Sequence, residues 1–191
     1  MGRPKLALRL GTLTILEHTV AALHAAAVDH ILIVVGPHAP ELVSIAQRTG
    51  AHVLALPDAT PDMRATIEKG IDWLREQFNP APLDPLILIP GDHPLLDRSI
   101  LEKLLHEMRL QHGPAIVVPA FEGKRGHPLV LTWSHTEGIR GLPREVGVNA
   151  YVQSQGHAVV EVPVLSAEVV RDLDTPEDYE ALLRAWDARH H

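Results

Sequence analysis

The sequence predicts an α/β domain with a mostly parallel sheet and a small antiparallel excursion. Short apolar runs alternate with segments of helical periodicity along the chain of 191 residues. Several runs, such as 31–35, are apolar at every position, which is typical of strands covered by helices on both faces. Repeated strand and helix units of this kind form an open sheet between two helical layers. We therefore expect a single Rossmann-like, three-layer α/β/α domain that spans residues 1–191.

The helices are predicted from capping residues that precede apolar residues three or four positions apart. The first follows Thr14, which has capping-box spacing to Glu17. The last follows Thr175 and has proline at its first position and an acid at its third. The other helices are expected to start near Pro40, Asp62 and Asp97. The buried face expected for the first helix carries Leu16, Val20, Leu23 and Ala27.

The strands are predicted from short apolar runs that end at turn residues. Residues 86–89 are expected to form the most clearly buried strand. The polar turn 122–126 leads into residues 128–131, which indicates an inserted hairpin or an antiparallel edge. The remaining strands are expected at 31–35, 52–56, 115–118 and 158–164.

The composition excludes several classes of protein. The formal net charge of -7 argues against a broad nucleic-acid surface, because backbone binding needs clustered Lys and Arg. The chain has no cysteine, so disulfides and thiolate metal sites are excluded. No apolar run approaches the about 20 residues that cross a bilayer. We expect a cytoplasmic protein that binds neither nucleic acid nor membrane.

Two acidic segments are candidates for a metal site. Asp92 directly follows the strand expected at 86–89, and ligands of open α/β sheets bind beyond the carboxyl ends of the strands. Asp172 and Asp174 lie two positions apart before the last helix, so they share a face if the chain is extended there. Carboxylates suit Mg²⁺ and its phosphate partners. The alternatives are that Asp92 only shapes a turn and that Asp174 or Thr175 caps the helix.

Two further segments could bind a substrate. The segment 123–128 combines Lys124 and Arg125 with glycines that let a ligand approach the backbone, although a surface hairpin tip has the same composition. Asp58 and the turn at 62–64 follow another strand and could contact a ribose or a second substrate.

The order of these motifs resembles the molybdenum cofactor cytidylyltransferases and their nucleotidyltransferase relatives. That family carries R-M-G-x-P-K, P-D followed by G-M, G-D-Q-P, R-G-H-P and D-x-D-T-P-E-D. The resemblance depends on these five motifs, which occur in the same order over most of the chain. The corresponding segments here are Met1 to Lys5, Pro57-Asp58 with Asp62-Met63, Gly91 to Pro94, Arg125 to Pro128, and Asp172 to Asp178.

The resemblance implies a nucleotidyltransferase fold of the nucleotide-diphospho-sugar transferase type and a Mg²⁺-dependent reaction. A phosphorylated molybdopterin-type acceptor would receive CMP from CTP with release of pyrophosphate, and a molybdoenzyme or its chaperone would be a partner. Asp92 would ligate Mg²⁺ with Asp172 or Asp174, and Arg3 and Lys5 would face the triphosphate. Proline at position 4 resembles the cytidylyl branch. The other substrate-binding positions implied are Gly2, Pro4, Asp58, Met63, Gly91, Pro94, Arg125 and His127.

The sequence also departs from the family pattern. His93 stands where the family has glutamine, and Asp62 replaces a glycine. The glycine-rich loop and its strand would precede Met1, so we expect Met1 to be an internal methionine, and we expect the neighbouring strands to lack a partner without that strand. The alternatives are a sugar- or alcohol-phosphate nucleotidyltransferase, or a catalytically impaired relative that binds a nucleotide or a partner enzyme.

Overall fold

The structure, a computed structural model, describes residues 4–143 and 145–190. Its helices are α1 (Ile15–Ala25), α2 (Glu41–Arg48), α3 (Met63–Phe78), α4 (Arg98–Arg109), α5 (His135–Arg140), α6 (Val148–Ser154) and α7 (Pro176–His190). Its strands are β1 (Arg9–Leu10), β2 (Leu13–Thr14), β3 (Leu32–Val35), β4 (His52–Ala55), β5 (Pro85–Leu88), β6 (Ile116–Phe121), β7 (Lys124–Arg125), β8 (Leu129–Thr132) and β9 (Val159–Pro163). None of the helices in these ranges combines the length and apolarity needed to cross a bilayer.

The strands form two main sheets and one small hairpin. β3 and β4 pair in parallel, and β6 and β9 also pair in parallel. β8 lies between β5 and β6 and is antiparallel to both, so β5 and β6 run in the same direction. β7 extends the antiparallel part beside β6, and β1 pairs with β2. The prediction of a mixed α/β fold with an antiparallel excursion is confirmed.

The two main sheets are joined by helix packing and not by strand pairing. Within the described ranges, β3 pairs only with β4 and β5 only with β8, so one edge of each has no strand partner. α3 covers both sheets: a Cβ atom at Gly70 would lie 3.2 Å from the Val34 side chain, and Ile71 packs in one cluster with Leu86. The expectation that strands lack a partner on one side is confirmed.

Two expectations about burial and strand position were wrong. The most buried strands are β6 and β8, whereas β5 exposes Pro85 and only half-buries Ile87 and Leu88. The unpaired edge of β5 explains this difference, because an edge strand is covered on fewer sides. For residues 128–131 the sequence predicted either an inserted hairpin or an antiparallel edge. The antiparallel edge is wrong, because β8 is paired on both sides.

Helix α1 shows how local capping directs this fold. Both bonds of the capping box are present: the Thr14 side chain accepts from Glu17 N, and the Glu17 carboxylate accepts from Thr14 N at 2.8 Å. The helix ends two residues earlier than its apolar pattern predicts. Ala27 therefore lies outside it with φ of 55° and is exposed, and Ala26 takes the buried position.

Candidate active site

The turn after β5 is fixed from two sides and carries Asp92. The Thr19 hydroxyl of α1 donates to the Gly91 carbonyl at 2.9 Å. A Cβ atom at Gly91 would lie 3.0 Å from the Leu6 side chain, so this turn packs closely against the N-terminal segment. The Asp92 side chain is 15% exposed. The turn therefore presents a carboxylate at the C-terminal end of β5 in a restricted position.

Lys5 connects Asp92 with Asp174. Lys5 belongs to a short 3₁₀ helix, Lys5–Ala7. Its Nζ lies 2.6 Å from Asp92 Oδ2 and 2.8 Å from Asp174 Oδ1. Because both oxygens contact one nitrogen, they are no more than about 5.4 Å apart, the sum of those two distances. The structure therefore brings together the two acidic segments that the sequence indicated, with a cation between them.

Asp174, and not Asp172, is the C-terminal acid that meets Asp92 through Lys5. Thr175 caps α7: its hydroxyl accepts from Asp178 N at 3.1 Å, and the Asp178 carboxylate accepts from Thr175 N at 2.8 Å. The Asp174 carboxylate is therefore available for Lys5. Leu173 between the two acids is buried, and the charge of Asp172 acts on His93 and His127.

The electrostatics of Lys5 follow from these contacts. Burial alone would lower the pKa of its ammonium. The hydrogen bonds and charges of Asp174 and Asp92 outweigh burial and raise the pKa above its ordinary value of 10.5. Lys5 is therefore an ammonium ion at neutral pH.

Two histidines lie behind this acid group. The rings of His93 and His127 are 5.4 Å apart between centroids. Burial lowers the pKa of both rings, and the nearby charges of Asp92 and Asp172 oppose the shift. The Glu168 backbone also opposes the lowering of the His93 pKa, and His127 N donates to the Val169 carbonyl at 2.7 Å. This pair is neutral at neutral pH and links the Asp92 turn to the segment 167–170.

The glycines of segment 123–128 serve the chain itself. A Cβ atom at Gly126 would lie 2.1 Å from the Val169 carbonyl oxygen, so the close approach is to this backbone and not to a ligand. Glu122 and Gly123 both have positive φ and form the tip between β6 and β7. Arg125 Nε donates to Glu161 at 2.8 Å. The hairpin-tip interpretation of the sequence is therefore the one that the backbone follows.

The other predicted site residues differ in their position and exposure. Gly2 and Arg3 lie outside the described residues. Pro4 precedes the 3₁₀ helix of Lys5. Asp58 and Met63 are exposed beyond β4, and Asp62 caps α3 through a bond from Ala65 N. Pro94 lies in the half-buried turn after Asp92.

Sequence reasoning missed two supports of the site. Thr19 is buried within the apolar stripe of α1, and a lone hydroxyl in such a stripe was a usable signal, because a buried polar group needs a partner. Glu168 pairs with Arg171 at 3.3 Å in front of the acidic segment. The spacing of three positions between these opposite charges was the usable signal for that pair.

The residues present suit a divalent cation. Among the described residues, no three His, Asp or Glu side chains are grouped so that they could hold a metal. Two carboxylates already surround a cation here, and Mg²⁺ is commonly bound by one or two carboxylates together with waters and phosphate oxygens. Asp92 and Asp174 therefore fit a metal whose remaining ligands would come from substrate and solvent.

The acid pair around Lys5 lies beyond the end of a sheet strand, where ligands of open α/β sheets bind. Residues 1–159 match the model of the MobA-like NTP transferase domain, and the chain belongs to this family. It is therefore a nucleotidyltransferase. Comparison with curated proteins gives no significant match.

Solved structures share the fold. Rv0371c from Mycobacterium tuberculosis H37Rv, in complex with manganese, is 24% identical with a TM-score of 0.79, and the match covers 96% of this chain and 93% of that one. A nucleotidyl transferase from Methanothermobacter thermautotrophicus is 20% identical with a TM-score of 0.77, covering 98% and 86%. CMP:2-keto-3-deoxy-manno-octonic acid synthetase in complex with CTP is 14% identical with a TM-score of 0.74, covering 100% and 95%. At these identities the likeness establishes the nucleotide-diphospho-sugar transferase fold.

Proposed function

We propose that this protein transfers CMP from CTP to a molybdopterin-type phosphate, with release of pyrophosphate, and that it depends on Mg²⁺ or Mn²⁺. The observation that carries the proposal is the Lys5 ammonium between Asp92 and Asp174. This arrangement supports a divalent cation site at the edge of the sheet where nucleotides bind in open α/β folds.

In this reaction an oxygen of the acceptor phosphate forms a bond to the α-phosphorus of the nucleotide. The bond from the α-phosphorus to the bridging oxygen breaks, and pyrophosphate leaves with its electron pair. Asp92 and Asp174 would hold the cation, which supplies positive charge to the phosphate oxygens. Lys5 would neutralise the triphosphate, and its ammonium retains its proton throughout. The remaining contribution of the protein is to orient the two phosphates in line.

The choice of substrates has separate support. The motif order from Pro57 to Asp178 favours a molybdopterin-type acceptor through its resemblance to the cytidylyltransferases, and Pro4 favours CTP. The similar synthetase with bound CTP is consistent with a cytidine donor. The manganese in the mycobacterial structure is consistent with a divalent cation.

Pyrophosphate release tests the proposal. The protein is incubated with CTP, GTP or UTP, with molybdopterin or a panel of sugar and alcohol phosphates, and with Mg²⁺, Mn²⁺ or EDTA. Release should require CTP, molybdopterin and the metal. Asp92→Asn should lower kcat/KM by at least about 100-fold, because roughly 3 kcal/mol of transition-state stabilisation is lost.

Asp72→Asn is the matched control, since Asp72 pairs with Arg140 at 2.6 Å away from the acid group. It should retain activity. Release only with a sugar or alcohol phosphate would replace the acceptor and leave the metal site intact. Full activity of Asp92→Asn would refute the proposed site.

A further inference from the structure

The Lys5 ammonium lies in the space that the proposed function gives to the divalent cation. Its Nζ contacts Asp92 Oδ2 at 2.6 Å and Asp174 Oδ1 at 2.8 Å. An ammonium and a metal ion cannot both lie between oxygens that are so close. Binding of the metal to these two oxygens therefore requires the Lys5 ammonium to leave them.

We propose that Lys5 is an internal competitor of the divalent cation, which keeps the free metal out until a nucleotide draws the ammonium away. This inference rests on the proposed function, because it assumes that Asp92 and Asp174 are the metal ligands. It adds a regulatory role for Lys5 at that site before any substrate reacts.

The backbone of Lys5 is fixed, but its side chain can move. The neighbouring Leu6 packs against the core and closely approaches Gly91, so the 3₁₀ helix stays beside the Asp92 turn. The Lys5 side chain is 35% exposed, and that of Asp174 is 71% exposed. A lysine has a flexible four-carbon stem. The ammonium can therefore swing toward solvent or a bound triphosphate without unfolding of the turn.

A nucleotide offers the ammonium a stronger partner than the two carboxylates. The triphosphate carries more negative charge and has oxygens that can accept from Lys5. When Lys5 transfers to the phosphates, Asp92 and Asp174 become free to bind the metal. Nucleotide and metal binding are then coupled, and the coupling is reciprocal by thermodynamic linkage. Lys5 thereby favours entry of the metal with the nucleotide.

Binding of Mn²⁺ in the absence of nucleotide tests this role without any turnover. Free Mn²⁺ is measured by electron paramagnetic resonance in titrations of the wild type and of Lys5→Met, which keeps the stem and removes the charge. Lys5→Met should bind Mn²⁺ at least about tenfold more tightly, because two charge-assisted hydrogen bonds no longer have to be broken. Lys103→Met is the control, because Lys103 Nζ bonds the Pro163 carbonyl and no acid. It should change the affinity less than about twofold.

The outcomes separate this inference from the proposed function. If Asp92→Asn binds Mn²⁺ as the wild type does, the proposed metal site fails. If Asp92→Asn loses binding while Lys5→Met binds with equal or weaker affinity, the metal site stands and the competitor role is overturned. Lys5→Gln provides a second uncharged variant. In the wild type, Mg²⁺ should shift the ¹⁵N resonance of the Lys5 ammonium, and an unchanged resonance at metal saturation would also overturn the inference.

Discussion

Replacement of Gly126 by alanine tests the packing that attaches the β6–β7 hairpin to the candidate site. A Cβ atom there would lie 2.1 Å from the Val169 carbonyl oxygen and 2.6 Å from its carbon, so the two backbones must separate. Separation breaks the bond from His127 N to Val169 O at 2.7 Å and strains the bond from Gly126 N to Pro119 O at 2.9 Å. Two weakened hydrogen bonds and an overpacked contact together cost about 2–5 kcal/mol.

Urea unfolding measures this cost. The midpoint should fall in Gly126→Ala while the slope m stays unchanged, because the unfolded chain gains almost no surface. Gly113→Ala is the control, since a Cβ atom at Gly113 meets nothing within 4 Å, and it should be neutral or slightly stabilising. A loss below about 1 kcal/mol in Gly126→Ala would show that the hairpin does not depend on this contact.

Three further substitutions examine the site and its support. Thr19→Val should destabilise the fold by about 1–2 kcal/mol and slow turnover, because the Gly91 carbonyl loses its donor; urea unfolding and kcat measure this, and Thr19→Ser should restore both. Asp174→Asn should lower kcat/KM at least about tenfold, whereas Asp172→Asn should change it less than about threefold, and equal losses would contradict the assignment of Asp174. Burial alone would raise the pKa of Glu17. Capping bonds and an ion pair outweigh burial and hold that pKa below its ordinary value of 4.5. The stability that Glu17 adds is therefore complete above the unfolded pKa and is lost as pH falls through the lower folded pKa. Between pH 6 and pH 3, Glu17→Gln should accordingly lose less unfolding free energy than the wild type, and parallel losses would be inconsistent with this reasoning.

The elements that the sequence predicted well are those that local chemistry specifies. Thr14, Asp62 and Asp97 each cap the helix that follows, as their spacing to later residues indicates. The fully apolar run at 31–35 correctly indicated a parallel strand. Each of these features depends on residues within about one helical turn or one strand, so the information lies in a short window.

The order of the strands could not be predicted in this way. β8 follows β7 along the chain but lies between β5 and β6, because its register with Leu88 and with Val117 is set by distant residues. The partner of Gly126 could not be predicted for the same reason. A glycine that permits a close approach does not identify its partner, and the partner here is Val169, far along the sequence.

The candidate site depends on one small core cluster that the sequence did not reveal. Buried Leu10 and Ile15 from the N-terminal segment, Leu95 from the turn after Asp92, and Leu173 and Leu182 from the C-terminal segment pack together. Each of these five residues comes from the same part of the chain as Lys5, Asp92 or Asp174. Burial of the five side chains therefore brings together three charged groups that are spread over 169 positions of sequence. The ion pairs are partly exposed and contribute little to folding by themselves. Apolar packing therefore positions the acids, and the charges remain available for a metal and a phosphate.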